Sequence, residues 1–489
     1  MDHIFSQALD IPGCSVPFLS HNSSSLFLSS LKNSAVMALS NLAGLQNHYY
    51  LIFCLLILAI WTALVLYSTF LASNANSSLN MLSLWASTQE LLDMRKRGSR
   101  LDVLDVFRVV AICWCAELFK KAVHDHPIFG ALLGNSALGV EIFLVLSGLL
   151  AAKSWNSKAE INFDKHCFSF LVKRCLRLIP IVAVFVFLAT GPLVQSVLPK
   201  FHSTMVSSCT PRTLLSHLTL TSNWQETPTC LGYLWYLGLD MQLYLIAPFL
   251  LHLLHRRPRL AIATFAFLIC ISAFLRALYC QIYGVCNSSD VDIPFISFPD
   301  QSPENTSLIY DGLWQMYSRP HTKCAPFLIG LLLGYWMDKE EMHVKLSFLN
   351  TRFVFLTALL GGIAVIYGIL PEYWYPNQGN TLYNTLYTAL FRTVFAACIA
   401  TMIAALFLST RRTEVNRYWA IAAKLTFNVY LLHMPVVYLF NHVQAFQEAT
   451  SVLGLLIALP FASLHWEDCL AHCFRKPCCD QLNNEHFLV

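Results

Sequence analysis

From residue 385 to residue 408 the chain holds a single charged side chain, Arg392, and from 260 to 279 again only one, Arg276. Runs of this kind constrain the fold more than any other feature. A helix of about 20 apolar residues matches the hydrocarbon thickness of a bilayer, and its backbone satisfies its own hydrogen bonds there. Barrel strands are excluded, since they need only about ten residues of alternating character. Roughly eleven stretches can cross with some tilt. They centre on 49–71, 105–123, 138–152, 178–198, 233–252, 260–279, 324–337, 352–370, 385–408, 420–440 and 450–466. The third and seventh are short. The expected fold is an all-α polytopic membrane bundle. At 12% charged residues the chain has half the roughly 25% of a soluble domain. A net charge of +4 is too small to argue for nucleic acid.

Lys and Arg favour cytosolic loops. They cluster at Arg95–Arg100, Lys153–Arg177, Arg256–Arg259, Lys339–Lys345, Arg411–Arg417 and Arg475–Lys476, while 371–384 and 442–449 have none. This alternation predicts a luminal or external N-terminus and a cytosolic C-terminus. Asn287 and Asn305 open glycosylation sequons in a predicted luminal loop. The chain divides into a short luminal segment (1–48), an anchor helix (49–71), a cytosolic linker (72–103), the helical membrane domain (104–466) and a Cys-rich cytosolic tail (467–489). No cleavable signal peptide is evident. Cys209 and Cys230 share a luminal loop and form the expected disulfide; Cys280 and Cys286 could form another. The spacing of the tail cysteines is too irregular to predict a metal site.

Ionisable residues inside spans are costly and usually mark a functional path. Asp105 and Arg108 open the second span three residues apart, so they can pair, either as an anchor or within a site. Glu141 precedes Ser147-Gly148, a pair that also permits close helix packing. Tyr236, Asp240 and Tyr244 recur every four residues and make one polar stripe. His433 lies near a luminal helix end and reads as structural or functional. Arg174 and Arg177 share one face at the predicted cytosolic border, where anchoring and anion binding are both open.

Several strings, taken in order, resemble one family. Asp105-Val-Phe-Arg108 leads to Trp114, and Val140-Glu141-Ile-Phe-Leu-Val-Leu-Ser147-Gly148 follows. Then come Arg174-Cys-Leu-Arg177-Leu-Ile-Pro180, Leu234-Trp-Tyr-Leu-Gly-Leu-Asp240-Met-Gln242 and Tyr430-Leu-Leu-His433. Together they resemble the membrane acyltransferase-3 superfamily, in particular its nose-resistant-to-fluoxetine-like branch, over about 100–466. The resemblance implies acyl transfer from acyl-CoA to a hydroxyl acceptor, a lipid or a glycan, at the endoplasmic reticulum or plasma membrane. It implies that Arg174 and Arg177 clamp the CoA moiety, with Arg108 and Ser147 as further donor-binding positions. Asp240, His433 and Glu141 are the catalytic candidates. No metal is expected; membrane lipids and acyl-CoA are the expected partners.

One departure bears on activity. The family places a Gly-His near the end of the second span, with the histidine as proposed general base, and here that position is Phe119. A phenyl ring takes no proton, and general-base catalysis is worth about 10²–10⁴-fold. The alternative expectation is therefore a degenerate member that binds acyl-CoA or lipid as a carrier, transporter or scaffold.

Overall fold

The structure, a computed structural model, describes residues 103–115, 131–132, 135–156, 163–225, 230–286, 312–339, 347–371, 380–409 and 417–440. The predicted anchor at 49–71, the last span, both terminal segments, Phe119 and the sequons at Asn287 and Asn305 lie outside them. Every long element among the described residues is a helix. In chain order these are α1 (Val103–Cys115), α2 (Leu138–Asn156), α3 (Phe163–Ala189), α4 (Pro192–Val197), α5 (Pro199–Met205) and α6 (Pro211–Leu218). They continue with α7 (Trp235–Arg256), α8 (Pro258–Tyr283), α9 (Pro320–Lys339), α10 (Phe348–Tyr367), α11 (Thr381–Leu408) and α12 (Arg417–Phe440). Six helices of the described residues are long and apolar enough to cross a membrane: α2, α7, α8, α10, α11 and α12. The protein is an all-α, polytopic integral membrane protein.

The axis of the bundle is the pairing of α2 with α9. Small residues allow it. A Cβ added at Gly148 of α2 would lie 2.1 Å from the Phe327 carbonyl oxygen, and one at Gly330 of α9 would lie 2.0 Å from that of Val145. Gly334, one turn on, is also tight, with a Cβ there lying 2.5 Å from the Leu149 carbonyl oxygen. The two backbones therefore touch along two turns. Around this seam two apolar clusters form, one through α7, α8 and α9 and one through α1, α2 and α11.

The helix carrying the paired arginines lies elsewhere than the hydropathy suggests. The apolar run predicts a span over 178–198, but α3 occupies Phe163–Ala189 and continues through Pro180. Arg174 and Arg177 are thus well inside a 27-residue helix rather than at its foot. A helix with this many charges in its first half escapes any hydropathy window, and what stabilises Arg174 is tertiary.

Between α3 and α7 the chain folds a small cap from α4, α5, α6 and two 3-10 turns at Ser222–Trp224 and Gly232–Leu234. Cys209 and Cys230 are joined by a disulfide across it, and Cys280 is joined to Cys286 at the end of α8. Thr210 and Thr213 form a reciprocal capping box at the start of α6. His217 of α6 is buried, its Nε2 2.9 Å from the Cys230 carbonyl oxygen. Burial depresses its pKa to about 4, against the smaller raising effect of that hydrogen bond.

Candidate active site

A cavity of about 600 Å³ opens where α1, α2, α3, α7 and α12 meet. Each helix gives it polar side chains. Along α3, His166, Phe170, Arg174, Arg177 and Ile181 lie on one face, three to four residues apart. Along α7, Tyr236, Asp240 and Tyr244 form the stripe expected from their spacing, and all three line the cavity. The helix α2 contributes Phe143 and Ser147, α1 contributes Asp105 and Arg108, and α12 contributes Lys424 and Phe427.

At its centre three helices are joined by one polar knot. Arg174 Nη2 donates to Asp240 Oδ2 in an ion pair. The Ser147 hydroxyl donates to the other carboxylate oxygen, Oδ1, at 2.5 Å, and Arg174 Nη2 also donates to Ser147 Oγ at 3.1 Å. The Arg174 guanidinium lies over the Tyr244 ring, 4.0 Å from its centroid. Tyr244 in turn stacks on Phe170 at 4.2 Å. The Asp240 side chain is only 5% exposed and that of Arg174 24%. Truncating one member of a buried pair leaves the other charge unpaired, so this knot ties α3 to α7.

The wall around the knot is cationic. Among the described lining residues, Arg108, Lys173, Arg174, Arg177 and Lys424 face two carboxylates, Asp105 and Asp240, a surplus of three positive charges. Arg108 is paired with Asp105 at 3.0 Å. Lys173, Arg177 and Lys424 are exposed. An apolar lining of Phe143, Leu178, Ile181, Leu237 and Phe427 completes the cavity. Such an arrangement suits an amphiphilic ligand with a polyanionic head.

Of the residues singled out in the sequence, the structure gathers Arg108, Ser147, Arg174, Arg177 and Asp240 around this one space. Glu141 and His433 are not in its lining. Glu141 is wholly buried, where Oε1 accepts from Lys323 of α9 and, at 2.6 Å, from Arg392 of α11. The His433 Nδ1 is 2.6 Å from the Tyr430 carbonyl oxygen, and its ring meets the edge of Tyr233. His166 and Lys424 are cavity residues that the sequence reading passed over. His166 is one turn upstream of Phe170 and two turns upstream of Arg174 on the same face, which is the available signal. Its Nε2 is 3.1 Å from the Trp155 carbonyl oxygen and its ring packs on the Trp155 indole, centroids 4.1 Å apart. No group of three or more His, Cys, Asp or Glu among the described residues is arranged to hold a metal ion.

The profile of the acyltransferase-3 family, described as an acyltransferase domain, matches residues 101–466. The chain belongs to the acyltransferase-3 family. Its similarity to "Nose resistant to fluoxetine protein 6" of Caenorhabditis elegans, 23% identical over 61% of this chain and 39% of that protein, places it with the nose-resistant-to-fluoxetine-like branch. A nearer relative is "Regulator of hypoxia-inducible factor 1" of the same organism, 54% identical over 79% of this chain and 80% of the relative. No solved structure matches the chain.

Proposed function

We propose that this acyltransferase-like membrane protein binds acyl-CoA in the cavity between α3, α7 and α12 and transfers the acyl group to a hydroxyl acceptor. The acceptor is a lipid or a glycan, and the membrane is the endoplasmic reticulum or the plasma membrane. The observation that carries the reading is the charge of the cavity: three exposed cations, Lys173, Arg177 and Lys424, beside an apolar lining. CoA carries its phosphates at one end and its thioester at the other. On this reading Arg177 and the lysines hold the phosphates, and Arg174 is committed to Asp240, positioning the wall.

A second reading has its own support. Phe119 replaces the histidine expected of the family, and the relative at 54% identity is named as a regulator. In that case the cavity binds acyl-CoA or lipid without turning it over. The experiment is release of free CoA and labelling of acceptor by the purified chain in lipid vesicles, beside Phe119→His and Arg177→Ala. Turnover by the native chain that falls about tenfold or more in Arg177→Ala supports transfer, the loss expected from one charge-assisted contact. Bound acyl-CoA without turnover, with turnover gained in Phe119→His, supports the degenerate reading. Absence of any acyl-CoA binding contradicts transfer, and absence of both acyl-CoA and lipid binding contradicts the second reading as well.

A further inference from the structure

We propose that Ser147 is an acyl-accepting nucleophile, taking the acyl group from a thioester donor as an oxygen ester before the acceptor receives it. The inference rests on the donor-binding reading above. Ser147 Oγ lines the cavity and donates a hydrogen bond to a carboxylate oxygen, Asp240 Oδ1, at 2.5 Å. It also accepts from the Arg174 guanidinium at 3.1 Å. A hydroxyl between a fixed carboxylate and a fixed cation has the proton acceptor and the charge stabiliser that acylation needs.

The position is rigid as well as polarised. The next residue, Gly148, sits so close to α9 that a Cβ there would lie 2.1 Å from the Phe327 carbonyl oxygen. The backbone carrying Ser147 is therefore seated against a neighbouring helix, and its side chain is held from two others. Holding a nucleophile within a fraction of an ångström of its working position is a large part of catalysis.

In the first half-reaction the Oγ attacks the thioester carbonyl carbon. A C–O bond forms, the C–S bond breaks, and the hydroxyl proton moves to Asp240. From Asp240 the proton passes to the departing thiolate, which leaves as the free thiol, and the carboxylate returns to its pairing with Arg174. The products are free thiol and the Ser147 ester. In the second half the acceptor hydroxyl attacks the ester carbonyl, its proton passes by Asp240 to Ser147 Oγ, and the serine is restored. This route does not call on position 119, where the family's histidine is absent.

The test uses the full-length purified chain in detergent, without acceptor, and acyl-CoA labelled separately in the acyl chain and the adenine. After an acid quench, peptides are mapped by mass spectrometry. The expected result is acyl label on the peptide containing Ser147, stable to neutral hydroxylamine. The label is absent from Ser147→Ala. In Ser147→Cys it becomes a thioester that neutral hydroxylamine releases, which keeps the test decisive should the alanine variant fold poorly. Bound adenine label with no acyl group on Ser147 overturns the proposal, as does undiminished acyl label in Ser147→Ala or no adduct at position 147 in Ser147→Cys. If the native chain binds no adenine label, the donor-binding reading fails first and this one with it.

Discussion

Arg174 and Asp240 hold each other across 66 residues of sequence, and each is costly to leave alone. Asp240→Ala and Arg174→Ala should each lower stability by roughly 3–5 kcal/mol, because each leaves an unpaired charge at a protected site. The double variant should lose less than the sum, and a thermal-melt cycle in detergent that finds simple additivity would refute the pairing. His217 gives a pH prediction. Its pKa is 6.5 when free and about 4 in the fold, so between these values the unfolded chain binds the extra proton. Stability is fully present above pH 6.5 and declines toward pH 4, by up to roughly 3 kcal/mol over the whole window. His217→Gln, which retains a donor for the Cys230 carbonyl, should flatten that slope; parallel slopes for the two proteins would disprove it. At this scale the sequence showed each partner but not the partnership. The stripe Tyr236, Asp240, Tyr244 is legible because a helix repeats every 3.6 residues. An intramembrane carboxylate beside a cavity and one enclosed by two cations look alike in sequence, which is why Glu141 and Asp240 both stand among the catalytic candidates there.

The elements show the same limit in another form. The α2–α9 seam depends on Gly148, Gly330 and Gly334, and only the first was singled out as a packing residue. Gly148→Ala should cost about 1–3 kcal/mol or more through overpacking, since a backbone oxygen stands at 2.1 Å. Gly362→Ala is the contrasting case: its Cβ would meet nothing nearer than 3.8 Å, so the helix should be unharmed or gain roughly 0.5–1 kcal/mol. Equal melting temperatures for the two variants would contradict the close-contact account. Helix existence was legible from hydropathy for α8, α10 and α11, where composition alone suffices. The true extent of α3 was not. Its Arg174 is stabilised by Asp240, Ser147 and the Tyr244 ring, all on other helices.

For the whole molecule the decisive property is a cationic cavity inside a chain that is otherwise 56% hydrophobic. Family membership and the all-α membrane architecture were readable from ordered motifs and apolar runs. The meeting of α1, α2, α3, α7 and α12 at one space was not, since motif order carries no distances. A cavity with surplus positive charge should bind a polyanion more weakly as salt rises, and the exposed cations should account for most of that dependence. The most direct measurement is equilibrium binding of labelled CoA to the purified chain at low salt, native against Arg177→Glu. Arg177 is exposed and stands outside the Arg174–Asp240 pair, so its reversal tests the ligand rather than the fold. The account predicts binding by the native chain that weakens about 10–100-fold or more in the variant, the range for a lost charge-assisted contact. Equal affinity in the two proteins, or no binding by the native chain, would contradict it.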